Sequence, residues 1–253
     1  MARTADARRP PSLTATESVV RHIEELVLGE LEPGASLPSE SQIAADTGVS
    51  RLTVREATKA LQARGLVEVR RGRRPVVAYP NALPVGDFFA SVIRRDPRQL
   101  LDLLEVRVAL EVHIAALAAR HGSRATITSM ELALDAMREG EDDLDALQAA
   151  DIRFHESLAA ASGNRLLSFL IEAMEAPLRA SRMQSLRGHL ASGGTVTDVV
   201  EQHERILDRV RSRDPKGATA AMRDHLAQTA RDLRAAFATA GAQAVTPDGE
   251  RAA

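Results

Sequence analysis

The spacing of apolar residues changes once along this sequence, near residue 66, and that change limits the folds open to the chain. Before it, apolar residues recur at helical spacing, with Ser or Thr where helices would begin and Gly where they would end. This pattern predicts three short helices over residues 14–28, 39–48 and 50–64. After it, alternating stretches at 66–70 and 75–79 predict two strands around a basic turn. Three helices followed directly by a two-stranded hairpin is the layout of a winged helix-turn-helix.

The rest of the chain predicts helices only, after a linker over residues 80–84. Aromatic residues make up 2% of the sequence, so the core must be built from Leu, Ala, Val and Ile, and Ala and Leu favour helix. The predicted helices cover residues 85–95, 97–121, 127–140, 143–162, 164–186, 196–212 and 215–240. The predicted fold class is mainly α: a winged helix-turn-helix over 14–79, then an all-α antiparallel bundle of six to seven helices over 85–240. We expect disordered ends at 1–13 and 241–253.

Composition and charge narrow the class of protein. The sequence has no Cys, which removes disulfides, thiolate metal sites and a Cys nucleophile. No stretch approaches the roughly 18 apolar residues of a membrane span, and the basic N-terminus lacks the apolar segment of a signal peptide. We therefore expect a cytoplasmic protein with no membrane partner. Residues 1–79 carry a net charge of about +2 and the remainder about −4, which fits a DNA-binding module joined to an acidic body.

The turn between the second and third predicted helices has the pattern of a DNA-reading element. Gly48 lies in the turn and Ser50 caps the third helix, which would then lie in the major groove. Arg51 and Arg55 project from one face, with Thr53 between them in the first turn, where hydroxyl groups commonly meet phosphate. Arginine can bind O6 and N7 of guanine together. The same spacing also occurs on solvated surface helices, so both interpretations stay open here.

The predicted head closely resembles the GntR-type winged-helix signature over about residues 15–79. The matching residues are Pro33-Gly34, Leu37-Pro38-Ser39-Glu40, Ile43-Ala44, Gly48-Val49-Ser50-Arg51, Thr53-Val54-Arg55-Glu56-Ala57, Leu61 and Gly65-Leu66-Val67. The resemblance implies operator contacts from the third helix and the wing tip; the DNA-binding residues it identifies are Ser39, Ser50, Arg51, Thr53, Arg55, Arg71, Gly72 and Arg73. Two positions depart from the family pattern. Ser41 stands where many members carry arginine, and Gly72-Arg73-Arg74-Pro75 replaces the usual Gly-Arg-Gly tip.

Four residues of the second half have the chemistry of a metal site. Asp151 and His155 are four residues apart on one predicted helix, so their side chains share a face. Two later helices carry His203 and His225, which a bundle could bring alongside. One aspartate and three histidines suit zinc, nickel or another first-row metal rather than calcium. Taken alone, the pair of Asp151 and His155 has an ordinary surface pair as its alternative.

The second half also resembles FCD, the ligand-binding domain of the FadR-like branch of the same family, over about residues 85–236. The matching residues are Glu105-Val106-Arg107 with Leu110-Glu111, Asp151 through Phe154-His155, Ala161-Ser162-Gly163-Asn164, Glu201-Gln202-His203 and Ala221-Met222-Arg223-Asp224-His225-Leu226. The resemblance implies a divalent metal, zinc or nickel, on Asp151, His155, His203 and His225, and a carboxylate effector gripped by the metal and Arg107. For Arg107 the alternative is a surface salt bridge to Glu111.

Two groups of residues receive no role in ligand binding. Asn164 is interpreted as the cap of the helix that follows it. The remaining histidines, which match no ligand position and are expected to be structural or at the surface, are His22, His113, His121 and His189.

These patterns together predict a ligand-responsive transcription regulator and not an enzyme. We expect a homodimer that represses from a short palindromic operator and is released by a small carboxylate bound at the metal site. Because the linker is short, helix movements in the body should reach the DNA-binding heads as changes in their spacing. Two alternatives are a metal-dependent hydrolase, which the DNA-binding head would leave unexplained, and an architectural DNA-binding protein, which would not need a buried four-ligand site.

Overall fold

A computed structural model describes residues 13–96 and 98–243 of the chain. The chain divides into two compact units, Met1–Pro84 and Val85–Ala253. Within the described ranges, no helix is both long enough and apolar enough to span a bilayer.

The first unit is a winged helix-turn-helix built around one small apolar core. Its elements are α1 (Ala15–Glu25, continued by a π-helical turn over Leu26–Glu30), α2 (Glu40–Thr47), α3 (Arg51–Ala63), β1 (Val67–Glu68) and β2 (Val76–Val77). The strands are antiparallel, with Val67 opposite Val77. The core side chains, all buried, are Val19, Ile23, Val27, Leu37, Ile43, Val54, Ala57, Leu61, Val67 and Val77.

Local sequence explains where these helices begin and end. Thr14 and Glu17 form a reciprocal capping box at the start of α1. Ser39 caps α2: its hydroxyl accepts a hydrogen bond from the backbone N–H of Gln42. This is one of the two hydrogen bonds of a capping box formed by Ser39 and Gln42. Gly48 ends α2 with a φ of 69°, a left-handed conformation that glycine adopts without strain.

The second unit is all helical, as predicted. Its seven helices within the described residues are α4 (Leu83–Arg95), α5 (Gln99–His121), α6 (Arg124–Glu139), α7 (Leu144–Ala161), α8 (Arg165–Ala191), α9 (Val196–Arg211) and α10 (Pro215–Gln243). The core is almost entirely aliphatic; Phe154 on α7 is fully buried in it, and Phe89 on α4 packs against it. The second unit therefore packs its helices with Leu, Ile, Val, Met and Ala, as the low aromatic content requires.

Several predicted boundaries differ from the structure. α4 begins at Leu83, so part of the predicted linker is helical, and the wing strands are two residues each. α8 runs to Ala191 rather than ending near residue 186, because Gly188 is not a stop: a Cβ there would collide with the carbonyl oxygen of Asp232, so glycine allows the close approach of α10. α10 extends to Gln243, and the predicted disorder at 1–12 and 244–253 lies outside the described residues.

Candidate functional site

The predicted DNA-reading side chains lie on an exposed surface of α3. The Ser50 hydroxyl accepts a hydrogen bond from the backbone N–H of Thr53 at 3.1 Å and contacts its hydroxyl at 2.9 Å, which fixes the first turn. The Arg51 and Arg55 side chains are 62% and 56% exposed. Both guanidinium groups are therefore available to a nucleic acid.

Glu40, at the start of α2, ties these two arginines together. Nε of Arg55 donates to both carboxylate oxygens at 2.9 Å, and Nη2 of Arg51 lies 3.6 Å from Oε2. The hydrogen bond from Arg55 is the largest influence on Glu40 and lowers the pKa of its carboxyl. Glu40 thus holds both arginines on one side of α3 through exposed ion pairs, which are individually weak.

The wing tip presents a run of exposed basic side chains. Arg71, Gly72, Arg73 and Arg74 are all exposed, and the N–H of Arg73 donates to the carbonyl of Arg70 at 3.1 Å to close the turn. Gly72 has a φ of 73°, a conformation that favours glycine. The tip therefore projects three guanidinium groups on a tight turn. Ser41, the position that departs from the family pattern, is exposed on α2.

The structure brings the four metal-ligand candidates to one point inside the second unit. His155, His203 and His225 each place a ring nitrogen within 4.8 Å of the other two. Nε2 of His155 is 3.4 Å from Nε2 of His203. Oδ1 of Asp151 lies 2.9 Å from Nε2 of His203 and 3.8 Å from Nε2 of His155. The pair of Asp151 and His155 is therefore not a surface pair.

The imidazoles are oriented by oxygen atoms behind them. Nδ1 of His203 donates to the Val199 carbonyl at 2.8 Å, and Nδ1 of His225 lies 3.0 Å from the amide oxygen of Gln202. Nδ1 of His155 faces Oε2 of Glu111 at 2.5 Å. Because the Val199 carbonyl and the Gln202 amide oxygen are acceptors, they favour a proton on Nδ1 of His203 and His225. That tautomer leaves the lone pair of Nε2 for the common point, the arrangement seen at metal-bound histidines.

Burial controls protonation here. Burial lowers the pKa of His155, partly offset by Glu111, and burial followed by the charge of His203 lowers the pKa of His225 well below its usual range. Burial alone would raise the pKa of Asp151, but the positive charge of Arg182 and the close contact with the ring of His203 lower it well below its usual range. The neutral forms of His155 and His225 and the ionised form of Asp151 are therefore favoured, and these are the forms that bind metal.

Arg107 does not form the surface salt bridge that the sequence left open. Its side chain is 2% exposed, as is that of Glu111, and Nε donates to Oε1 of Glu111 at 2.5 Å. Burial opposes the charge of Arg107, but the carboxylate of Glu111 more than offsets this and raises its pKa. Nη2 of Arg107 is buried and has no hydrogen-bond partner among the described residues.

A small cavity adjoins the cluster and contains residues that sequence reasoning missed. Its volume is about 60 Å³. Its polar lining comes from Arg107, Gln148, Asp151, Arg182, Ser185, His189, Gln202, His225, Thr229 and Asp232, and its apolar lining from Met137, Leu147, Leu186 and Val199. Arg182, on α8, contacts Asp151 at 3.1 Å and Glu175 at 3.4 Å. No sequence pattern singled out this arginine, since its burial depends on the packing of α8.

The remaining histidines and Asn164 mostly lie where the sequence placed them. His113 and His121 are exposed and His22 is half-buried. His189 is buried, with Nδ1 3.2 Å from Asp232 and Nε2 3.5 Å from Asp198, so it links α8 to α9 and α10 at the cavity wall. Asn164 caps α8 by accepting from the N–H groups of Leu166 and Leu167.

Comparison with known families matches both units. Residues 15–77 match the model of the bacterial regulatory proteins of the gntR family, and residues 102–228 match the FCD domain. The chain is 35% identical over 199 residues to the HTH-type transcriptional regulator LutR of Bacillus subtilis, which covers 78% of this chain and 91% of that protein. It is 32% identical over 234 residues to the Glc operon transcriptional activator of Escherichia coli K12, and the match covers 90% of this chain and 91% of that protein.

Two further similarities cover most of the chain. The galactonate operon transcriptional repressor of Escherichia coli K12 is 28% identical, covering 88% of this chain and 98% of that protein. A solved structure, Streptococcus agalactiae GntR, is 25% identical with a TM-score of 0.69, covering 86% of this chain and 99% of that one.

A winged helix-turn-helix joined to a helical unit with a buried polar cavity defines a ligand-responsive, DNA-binding transcription regulator. The chain belongs to the GntR family, in the group whose second domain is an FCD domain. Its matching domains and relatives are transcription regulators and not enzymes, so the metal-dependent hydrolase considered from the sequence is wrong.

Proposed function

We propose that this regulator represses transcription as a homodimer on a short palindromic operator and leaves it when a small carboxylate binds beside a divalent metal. The observation that carries the proposal is the convergence of three buried imidazoles and Asp151 next to a buried arginine. Nη2 of Arg107 is buried there and has no hydrogen-bond partner within residues 13–96 and 98–243. Arginine suits carboxylate recognition, so it and the metal would hold the effector together.

The donor set fits zinc or nickel. In a tetrahedral zinc site with Zn–N distances of about 2.0–2.1 Å, neighbouring ligand atoms lie about 3.3–3.4 Å apart. The Nε2 atoms of His155 and His203 have a 3.4 Å separation. Asp151, His155, His203 and His225 would hold the ion, and the ion would supply a positive centre for the effector carboxylate.

The metal is tested by content and by stability. His203→Ala and His225→Ala should lower bound zinc or nickel and remove metal-dependent thermal stabilisation, because metal stabilises the state that binds it. His113→Ala, at an exposed position of α5, is the matched control and should behave as wild type. Protein that neither retains nor takes up metal would contradict the site.

The operator interface is proposed on α3, the wing and the start of α2. The residues that would contact DNA are Ser39, Ser50, Arg51, Thr53, Arg55, Arg71, Gly72 and Arg73. A two-fold dimer on an inverted repeat would place two such surfaces in successive major grooves. Arg51→Ala and Arg55→Ala should each cost about 1–3 kcal/mol of specific affinity, while Arg21→Ala, exposed on α1, should cost far less. Wild-type affinity in both α3 variants would contradict the placement.

Two tests separate this proposal from other modes of action. A footprint confined to one short inverted repeat supports a regulator, whereas uniform coating supports an architectural protein. The sign of regulation needs a transcription assay, because the similar proteins include both an activator and a repressor. We expect added carboxylate effector to raise transcription from the operator, and a fall would mean activation.

A further inference from the structure

Leu52 is an exposed apolar side chain on the helix that is proposed to read DNA. It is the second residue of α3, between Arg51 and Thr53, and it is 67% exposed. A single exposed leucine is ordinary on a protein surface, so the position of this one must carry the argument. When such a helix lies in the major groove, its N-terminal residues reach the base edges. Leu52 is therefore at the end of α3 that would come closest to the bases.

The helical period places Leu52 on the face of α3 that points away from the core. The buried residues of this helix are Val54, Ala57, Thr58 and Leu61. At about 100° per residue, Leu52 lies about 160° around the helix from Val54. Glu56 and Lys59 lie within about 40° of Leu52, and they form an exposed ion pair with each other at 3.1 Å. Leu52 thus stands at the N-terminal end of the outward face, beyond a charged pair that is already matched.

The arginines near Leu52 occupy one flank of this face. Arg51 and Arg55 lie about 100° and 60° around the helix from Leu52, on the same side, and both contact Glu40. Their guanidinium groups suit phosphates and the acceptors of guanine. Leu52 can neither donate nor accept a hydrogen bond, so it needs an apolar group on the duplex. In the major groove that group is the C5-methyl of thymine.

We propose that Leu52 determines operator specificity by packing against the C5-methyl group of one thymine in a half-site. This inference rests on the proposed function, in which α3 lies in the major groove. The contact would remove apolar surface of both groups from water. The other three bases present only hydrogen-bonding groups on this edge, and a leucine over them would leave a donor or acceptor without a partner. Leu52 therefore selects thymine at one position that the arginines do not read.

Replacing thymine by deoxyuridine tests the contact, because it deletes the C5-methyl group and keeps base pairing. The probe is an operator selected from random duplexes by full-length wild type, with the thymines of one half-site replaced one at a time. Affinity is measured by fluorescence anisotropy at fixed salt. Burial of one carbon of this size corresponds to about fourfold in affinity. Wild type should therefore lose about fourfold at the thymine that Leu52 contacts.

Two variants assign that loss to Leu52. Leu52→Ala removes the contact at an exposed position and keeps a residue that favours helix. It should bind the selected operator more weakly, and at that one position it should bind the thymine and deoxyuridine duplexes equally. Leu52→Met keeps a long apolar side chain and should keep the preference for thymine. Leu28→Ala, 73% exposed outside α3, is the control and should match wild type at every position.

The outcomes separate this inference from the proposed function. If no thymine is sensitive in wild type, or if Leu52→Ala keeps the full loss at every sensitive thymine, the role of Leu52 is overturned. The proposed operator interface survives that result as long as Arg51→Ala weakens operator binding. If neither Arg51→Ala nor Leu52→Ala changes operator affinity, the placement of α3 in the major groove fails together with this inference.

Discussion

Glu111 is the residue on which metal and effector binding should both depend. Its two oxygens lie 2.5 Å from Nε of Arg107 and 2.5 Å from Nδ1 of His155, and its side chain is 2% exposed. Glu111→Gln keeps the volume and removes the charge. Losing such a partner of a metal-bound histidine typically lowers metal affinity about 10- to 100-fold, or about 1.4–2.7 kcal/mol.

The same change should destabilise the metal-free protein. Breaking a buried ion pair leaves the charge of Arg107 without its partner and costs up to about 3–5 kcal/mol. Zinc affinity is measured by competition with a chelator on protein shown to be folded by circular dichroism, and stability by urea unfolding. Glu105→Gln, exposed on α5, is the control. Zinc affinity within about twofold of wild type in folded Glu111→Gln would refute the reasoning.

Three further predictions test packing, the DNA-binding surface and the core. Gly188→Ala should lower the free energy of unfolding in urea by about 1–3 kcal/mol, because the added Cβ would collide with the backbone of Asp232. Gly29→Ala is the control and should change this free energy much less, because an added Cβ there would have nothing within 4 Å. Glu40→Gln should release the two arginines of α3 and raise affinity for non-specific duplex more than for operator, measured by fluorescence anisotropy; an unchanged ratio would contradict this role. Phe154→Ala should lower the free energy of unfolding by about 3–5 kcal/mol. It should also lower zinc affinity, because the centroid of the Phe154 ring lies 4.9 Å from that of His203 and holds the imidazole in place; zinc affinity equal to wild type would contradict that role.

The secondary structure could largely be predicted because local signals agree with the final fold. Capping residues mark the starts of α2 and α3, and the change of period marks the wing. The predicted end of α8 before Gly188 was wrong, because a glycine inside a helix and a glycine that ends a helix look the same in the sequence. Only the approach of α10 to α8 distinguishes them, and that approach is a tertiary contact.

The candidate site was predictable in its members but not in its surroundings. The four-residue spacing places Asp151 and His155 on one face, and the family resemblance supplied His203 and His225. The burial of Glu111 and Arg182 depends on which faces of α5 and α8 turn inward around a polar centre. A hydrophobic pattern cannot show this, because charged residues normally mark the exposed face of a helix.

The central claim is that occupancy of the second unit's cavity changes affinity for operator DNA. A ligand can shift this equilibrium only through different affinities for the two states, and the coupling is reciprocal. The direct measurement is calorimetry of small-carboxylate binding, with lactate as the probe, to zinc-loaded protein with and without an operator selected from random duplexes. The account predicts weaker binding on the operator by about 5- to 150-fold, the range of typical coupling energies. Equal affinity with and without DNA would contradict it.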